Sequence, residues 1–205
     1  MREVQTGLWH WEAVHPEWTV EDAATEDWGP EVSSYAIDDG RRLLLIDPVL
    51  PPSPVDELAQ HRDTAIVLTC PWHERDARKI VERFGASVFS PPPDHPADEP
   101  LTAQVFSAGD RLPVGVEAFP GMEPNDLVLW IESCRALVAG DTLIDRGQGL
   151  EFPSDWANKG VPPEQILETL RPLLELPVEL VLPTHGAPAD RAALERALSP
   201  GLRLV

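Results

Sequence analysis

Residues 65–76 read AIVLTCPWHERD, and this stretch decides the predicted fold of the chain. The run AIVL is apolar and short enough for a buried β-strand, and polar residues follow it at once. Residues 75–84 are amphipathic and end at Gly85, a common helix terminator, and the apolar run SVFS follows at 87–90. The order strand, helix, strand predicts a β-α-β unit over 65–90, and the loops at the carboxyl ends of such strands carry the chemistry of α/β proteins.

The alternation of strands and helices continues on both sides of this unit. Upstream, residues 32–46 predict a hairpin whose second strand is central, and a short helix follows at 55–62. Downstream, the pattern predicts five strands and two helices, namely strands at 103–107, 114–119, 127–132, 136–139 and 179–182 and helices at 163–174 and 190–198. Asp190 is the candidate N-cap of the last helix. The length of 205 residues favours a single domain over 1–205, with residues 1–30 as a tryptophan-rich segment that packs on it.

The composition argues against several classes of function. Lys and Arg number 16 against 35 Asp and Glu, a net charge of −19, and such a field repels nucleic-acid phosphates and anionic membrane surfaces. The two cysteines suit a reducing compartment, and neither a signal peptide nor a run of the ~18 apolar residues that span a membrane is present. We therefore expect a cytoplasmic protein that acts on a small-molecule substrate or ligand and binds neither nucleic acid nor membrane. Its oligomeric state stays open, with a homodimer among the options.

Histidine and carboxylate residues follow three of the predicted buried strands. His73 and Asp76 come after the strand at 65–68, Asp141 comes after 136–139, and His185 comes after 179–182. Such side chains, when they converge from strand ends, are the usual material of a hydrolytic metal site. Each of them alone is weak evidence, because Gly-Asp and His-Gly pairs are more often turn residues.

Five landmarks in a fixed order give the chain a resemblance to a known family. They are SSYAI (33–37) with LLLID (43–47), IVLT (66–69) with its His/Asp loop, PGMEPND (120–126), LVAGD (137–141) and LPTHG (182–186). Over about residues 30 to 190 the chain resembles the metallo-β-lactamase superfamily. The resemblance implies an α/β fold, a four-layer αβ/βα sandwich of two mixed β-sheets flanked by helices. It also implies a metal site at one sheet edge and hydrolysis of esters, thioesters, lactams or phosphodiesters by a metal-bound hydroxide.

The resemblance carries over only part of the family's metal ligands. Asp141 corresponds to the carboxylate that bridges two metals, and His185 corresponds to a ligand of the second metal. Met122 stands where the third landmark of the family has a histidine, and a thioether is a poor ligand for zinc and similar dications. The complete two-metal site of the family is therefore not expected.

The family's main ligand loop, Thr-His-x-His-x-Asp-His, fits this chain in no ungapped register. Counted from Thr69, the four ligand positions fall on Cys70, Trp72, Glu74 and Arg75. Counted from Asp76 as the loop aspartate, they fall on Trp72, Glu74, Asp76 and Ala77. His73 enters the set only if one residue is inserted between it and Asp76. A guanidinium cannot ligate a metal, because it is never deprotonated.

Three interpretations of the site remain open. In the first, His73, Asp76, Asp141 and His185 hold one divalent ion (Zn, Fe or Mn), and a metal-bound water attacks an ester-, thioester- or lactam-like carbonyl with His73 and Asp76 as the catalytic residues. In the second, no metal binds, Arg75 replaces the lost charge, and the cleft binds a small molecule or anion with Trp72 in its wall. In the third, the polar residues only pair with one another.

The first interpretation is the leading prediction, a hydrolase-like protein with a degenerate metal site. The alternative is a non-catalytic binding module that uses the cleft near Arg75. Tryptophans near the N-terminus and Trp72 could form an aromatic wall, which would favour an apolar or planar ligand.

Overall fold

The computed structural model describes residues 1–26, 28–93, 101–157 and 160–199. They form two β-sheets that face each other, with helices on both outer sides. The helices are α1 (Asp22–Thr25), α2 (Val55–Ala59), α3 (Ala77–Phe84), α4 (Pro163–Leu170) and α5 (Arg191–Ala197). Short 3₁₀ turns lie at Pro113–Gly115, Glu132–Cys134 and Arg171–Glu175. Among these residues, every helix is too short or too polar to cross a membrane.

The first sheet contains seven strands that neighbour one another in chain order. They are β1 (Arg2–Gln5), β2 (Leu8–Val14), β3 (Glu31–Asp38), β4 (Arg42–Ile46), β5 (Asp63–Val67), β6 (Ser87–Ser90) and β7 (Gln104–Val105). Strands β1 to β4 pair antiparallel, and β4 to β7 pair parallel. Strand β4 is thus the middle strand, which confirms the prediction that the second strand of the hairpin is central.

The second sheet has six strands in the order β13-β12-β11-β10-β9-β8. They are β8 (Arg111–Leu112), β9 (Val116–Pro120), β10 (Leu127–Ile131), β11 (Ala136–Gly140), β12 (Leu180–Pro183) and β13 (Ala189–Asp190). Strands β11 and β12 pair parallel and the other neighbours antiparallel. Two parallel strands of this sheet therefore end side by side, which brings the residues after them together.

Strand β4 shows why the layers assemble as they do. Leu44 and Ile46 point into the core between the two sheets, whereas Leu43 and Leu45 point to the outer face that α2 and α3 cover. Side chains alternate along a strand, so a strand that is apolar at every position is buried on both faces. Helices α4 and α5 cover the outer face of the second sheet in the same way. The result is the predicted four-layer sandwich of two mixed sheets.

The N-terminal segment forms part of the first sheet. It packs on the domain as two strands, β1 and β2, and β2 pairs with β3 from Leu8 to Val14. Strand β2 lacks a simple alternation of apolar and polar residues, because His10 and Trp11 are adjacent and both buried. The predicted cap of the last helix is confirmed, since the Asp190 carboxylate accepts a hydrogen bond of 2.8 Å from the Ala193 N–H.

Candidate functional site

A cavity of about 420 Å³ lies where strands of both sheets end. The turn after β5 supplies one wall, Asp141 follows β11, and His185 follows β12. The segment between β2 and β3 and the long loop after β11 supply the other walls. The residues that line the cavity are His15, Glu26, Trp28, Val32, Trp72, His73, Arg75, Asp141, Trp156 and His185.

His73 is buried at the floor of this cavity between two carboxylates. Its Nδ1 lies 3.0 Å from Thr69 Oγ1 and 3.1 Å from Asp47 Oδ2, and its Nε2 lies 3.3 Å from Asp141 Oδ2. Burial by itself lowers the pKa of His73, but the charges of Asp141 and Asp47 outweigh burial and raise the pKa to about 9. In the absence of another cation, His73 is therefore protonated at neutral pH and pairs with both carboxylates.

Asp47 is a site residue that the sequence reasoning missed. It is the last residue of the LLLID landmark, and its carboxylate accepts hydrogen bonds from the Thr69 N–H (2.8 Å) and the Thr69 hydroxyl (2.6 Å). Burial opposes the charge on Asp47, yet the neighbouring His73 and these donors hold the pKa of its carboxyl below the ordinary value. Its position directly after the central strand β4 could have marked it as a candidate site residue.

Asp141 is held in place by a glycine and by an indole. Gly140, at φ +54°, precedes it, and a Cβ there would lie 2.8 Å from Asp126 Oδ1 and 3.0 Å from Thr69 Oγ1. The Trp72 indole Nε1–H donates a hydrogen bond of 3.0 Å to Asp141 Oδ2. Burial alone would raise the pKa of the Asp141 carboxyl, but His73 and the Trp72 N–H hold it well below its usual range. The other oxygen, Oδ1, is buried and has no hydrogen-bond partner among the described residues.

His185 sits against this free oxygen under an aromatic cover. Its Nε2 lies 3.6 Å from Asp141 Oδ1, and its Nδ1 is buried without a hydrogen-bond partner in the described part of the chain. The ring meets Trp28 and Trp156 edge-on, with centroid distances of 4.6 and 5.5 Å. Burial lowers the pKa of His185 to about 4. The imidazole is therefore neutral at neutral pH, the state in which histidine binds metals.

Arg75 contacts the protein backbone through its guanidinium group. Its backbone is in the left-handed region at φ 44°, which is strained for a residue with a side chain. Its Nη1 donates hydrogen bonds to the backbone carbonyls of Ser33 (2.8 Å) and Asp47 (2.6 Å). The guanidinium thus ties the loop after β5 to strands β3 and β4 at the wall of the cavity.

Two candidates from the sequence do not reach the cavity. The Asp76 carboxylate, predicted as a metal ligand and a catalytic residue, accepts hydrogen bonds from the Leu50 N–H (3.0 Å) and from Lys79 Nζ (2.6 Å). Its place just before α3 turns it away from the strand ends. Glu74 pairs with Arg78 at 2.9 Å on the outside of the same turn. Of the four predicted metal ligands, the structure brings together His73, Asp141 and His185.

Cys70, and not Asp76, lies beside His73 and Asp141 among the described residues. The ligand atoms of Cys70, His73 and Asp141 all lie within 4.8 Å of one another, and all three residues are buried. Burial raises the pKa of the Cys70 thiol well above its ordinary value, so without a metal it is a neutral thiol and a poor nucleophile. Soft thiolate, imidazole and carboxylate together suit zinc or iron.

Three positions at which the resemblance would place metal ligands carry Trp72, Arg75 and Met122 in this chain. Trp72 and Arg75 occupy two positions of the expected ligand loop, and their polar side-chain groups only donate hydrogen bonds. Met122 is buried, and its backbone N–H donates a hydrogen bond to the Thr142 hydroxyl. The two oxygens of Asp141 are also unequal, because Trp72 and His73 engage Oδ2. Asp141 Oδ1 faces His185 Nε2, and Cys70 and His73 form the neighbouring cluster with the same carboxylate.

Comparison with known families places this arrangement in context. A family model described as the metallo-beta-lactamase superfamily matches residues 55–185. No protein of curated function matches the sequence significantly. The matched range begins at helix α2 and ends at His185, so it contains the turn after β5, Asp141 and His185.

Solved structures with the same fold include metal-containing proteins. The chain is 25% identical to TTHA1623, solved in a di-iron-bound form, with a TM-score of 0.61 over 84% of this chain and 96% of that one. It is also 25% identical to ETHE1 from Myxococcus xanthus, with a TM-score of 0.58 over 82% and 78% of the two chains. The DIM-1 metallo-beta-lactamase has a TM-score of 0.68 over 96% and 93% at 14% identity, a likeness of fold alone.

Proposed function

Because this chain belongs to the metallo-beta-lactamase superfamily, we propose that it is a hydrolase that uses one divalent metal ion at a reduced site. Its substrate is a small ester-, thioester- or lactam-like molecule. The two cysteines are free and buried, which suits a reducing compartment, and we assign the protein to the cytoplasm on that basis.

One observation carries the proposal. Asp141 Oδ1 is buried without a hydrogen-bond partner in the described chain, and His185 Nε2 lies 3.6 Å from it. A buried carboxylate oxygen is costly unless something pairs with it. Two atoms that bind the same ion at about 2.0–2.2 Å each lie only slightly closer together than this. A divalent ion held by Asp141 Oδ1 and His185 Nε2 would satisfy the unpaired oxygen, and Cys70 and His73 form the neighbouring cluster with Asp141.

The chain's own residues would prepare these ligands in defined ways. Asp47 and Thr69 hold Nδ1 of His73, which leaves Nε2 facing Asp141, and such a carboxylate behind a histidine orients the ring and raises its basicity. Trp72 would hold the Asp141 carboxylate by its hydrogen bond, and Trp28 and Trp156 pack edge-on against the His185 ring. When bound, the ion would polarise a substrate carbonyl and lower the pKa of water.

The metal content of the protein tests this proposal. We expect close to one equivalent of transition metal in protein purified without added metal. After removal by a chelator, adding Zn, Fe or Mn should raise the melting temperature, because an ion that binds the folded state stabilises it by about 2.7 kcal/mol at a hundred times its Kd. Asp141→Asn and His185→Ala should lose the ion and the hydrolysis of small ester and thioester substrates.

His61→Ala is the matched control, since His61 is exposed and lies away from the cavity. The variant Asp76→Asn tests which residues hold the ion. If Cys70, His73, Asp141 and His185 hold it, this variant should keep its metal content, whereas the set predicted from the sequence would lose one ligand. Less than about a tenth of an equivalent, with no gain in melting temperature for any of the three metals, would exclude the metal site.

A metal-free binding module is the second candidate, and one observation favours it. The protonated His73 already places a positive charge between Asp47 and Asp141, and Arg75 adds a second beside them. A protein of this kind would bind its ligand with the same affinity before and after treatment with a chelator. The hydrolase would lose its activity under that treatment.

A further inference from the structure

We propose that this cavity selects uncharged substrates with a flat aromatic group, and that Trp72 is the ring on which this group stacks. The inference rests on the proposed function, because it names the substrate class of the same site. Clefts of a few hundred Å³ lined by aromatic side chains bind small apolar ligands, and this cavity measures about 420 Å³.

Trp72 is the ring with a free surface among the three tryptophans that line the cavity. Trp28 is packed against Trp18 and His185, with centroid distances of 4.6 Å to each. Trp156 lies between His185 and Arg146, whose guanidinium carbon is 5.0 Å from its centroid. Trp72, in contrast, is 44% exposed. A large exposed aromatic surface beside a buried polar cluster is a candidate contact for a ligand.

The orientation of the Trp72 ring is fixed before a ligand arrives. Its Nε1–H is bonded to Asp141 Oδ2 at 3.0 Å, and its ring meets His73 edge-on with a centroid distance of 6.3 Å. The ring is therefore anchored at the carboxylate that would hold the ion. A preorganised ring costs less entropy on binding than a mobile one, and a group stacked on it would lie next to the reacting centre.

The cavity wall carries charges of both signs, with Asp141 and Glu26 against Arg75, which is why we infer an uncharged ligand. Asp141 faces His73 and Trp72, Glu26 accepts a hydrogen bond from the Trp28 indole at 3.1 Å, and Arg75 donates to two backbone carbonyls. An anionic ligand would also meet the field of a chain with a net charge of −19. An ammonium ligand is attracted by that field but would meet the guanidinium of Arg75 in the cavity wall.

A pair of neutral amides tests the inference on the full chain as purified. Acetanilide and N-cyclohexylacetamide share an amide and differ in whether the ring is flat. The seven tryptophans give indole N–H resonances in a ¹⁵N spectrum, and Trp72→Phe identifies that of Trp72 by its loss. We expect acetanilide to shift this resonance saturably and to bind about five times more tightly than the cyclohexyl amide, which corresponds to one favourable aromatic pair.

Variants separate stacking from the hydrogen bond to Asp141. Followed by resonances of the acetanilide ring, Trp72→Phe should keep the preference for the flat amide because it keeps a ring. Trp72→Leu should abolish it, and Trp9→Leu, on strand β2 away from the cavity, should retain it. Circular dichroism and thermal melting confirm that each variant is folded before its binding is compared.

Three results would overturn the inference. They are equal affinity for the two amides, no binding of either up to its solubility limit, and a preference that survives Trp72→Leu. Benzoate or benzylammonium binding as tightly as acetanilide would overturn the part that concerns charge. The readout is binding and needs no turnover, so a protein without metal or hydrolysis would refute the proposed function and leave this result standing.

Discussion

The indole N–H of Trp72 donates a hydrogen bond of 3.0 Å to Oδ2 of Asp141. Trp72 stands where the family's loop has a metal ligand, and here it contacts the Asp141 carboxylate. This bond leaves Oδ1 of the same carboxylate to face His185 Nε2 at 3.6 Å. The two oxygens of Asp141 therefore have different neighbours, Trp72 at Oδ2 and His185 at Oδ1.

Removal of this N–H should weaken the binding of the metal. In Trp72→Phe the Asp141 carboxylate loses the group that fixes its plane, and loss of such a supporting contact typically reduces metal affinity by about 10- to 100-fold. Competition with a chromophoric chelator measures the change. Trp9→Phe is the matched control and should bind metal like the wild type. Equal affinity in Trp72→Phe would show that the bond does not position Asp141.

Arg75 should contribute more to folding than to ligand binding. Its Nη1 bonds to the Ser33 and Asp47 carbonyls hold the turn after β5 to β3 and β4. Hydrogen bonds from charged groups contribute about 1.5–3 kcal/mol, and we expect Arg75→Ala to lower the free energy of unfolding by about 2–4 kcal/mol in urea titrations.

Arg78→Ala is the control for this effect. Arg78 forms an ion pair with Glu74 near the surface, and such pairs contribute less than about 1 kcal/mol. If the two variants were equally stable, Arg75 would not brace the turn.

Gly140 should tolerate no side chain. A Cβ there would come within 2.8 Å of Asp126 Oδ1 and 3.0 Å of Thr69 Oγ1, in addition to the strain of a positive φ. We expect Gly140→Ala to lower the free energy of unfolding by about 2–4 kcal/mol, the sum of overpacking and strain.

Gly85→Ala isolates the contribution of strain. Gly85 has a φ of +67°, but a Cβ at this position would meet no described atom within 4 Å, and so the cost should be about 1 kcal/mol. Thermal or urea unfolding of both variants checks the difference. A Gly140→Ala variant as stable as Gly85→Ala would contradict the close packing before Asp141.

His10 should make the stability depend on pH. Its Nε2 lies 2.9 Å from Ser33 Oγ, and burial, followed by the charge of Arg2, lowers its pKa from 6.5 to about 4. The unfolded chain takes up this proton at the ordinary pKa, whereas the folded state resists it. The contribution is therefore present above pH 6.5 and is lost as the pH falls toward 4.

The variant His10→Gln removes this proton uptake. Between pH 7.5 and pH 5, the wild type should lose about 1–2 kcal/mol more of its unfolding free energy than the variant. Urea titrations at a series of pH values measure both curves. Parallel curves would show that His10 is not held neutral in the fold.

The buried strands were predictable because they depend on local periodicity, whereas the four-layer arrangement was predicted from the family resemblance. The runs at 43–46 and 65–68 are apolar at every position, and a strand of that kind must be covered on both faces. The bounds of the N-terminal strands were not predictable, since Trp11 is buried beside polar neighbours and β2 lacks a simple alternation.

The candidate site was predictable only at the ends of its strands. Asp141 and His185 follow buried strands whose order along the chain fixes their place, and the structure brings them to one cavity with His73. Asp76 carried an equally suitable carboxylate, but the direction of its side chain depends on the turn before α3, where Leu50 and Lys79 hold it.

The sequence by itself predicted the strands, and through its resemblance to the metallo-β-lactamase superfamily it predicted the sandwich and the places of Asp141 and His185, because residue type and strand order decide those features. Only the tertiary structure decided which polar groups meet. Contacts such as Trp72 with Asp141 and Asp47 with His73 join residues 69 and 26 positions apart. Such distances depend on how two sheets pack and on the backbone angles of single turns, and no local pattern in the chain encodes them.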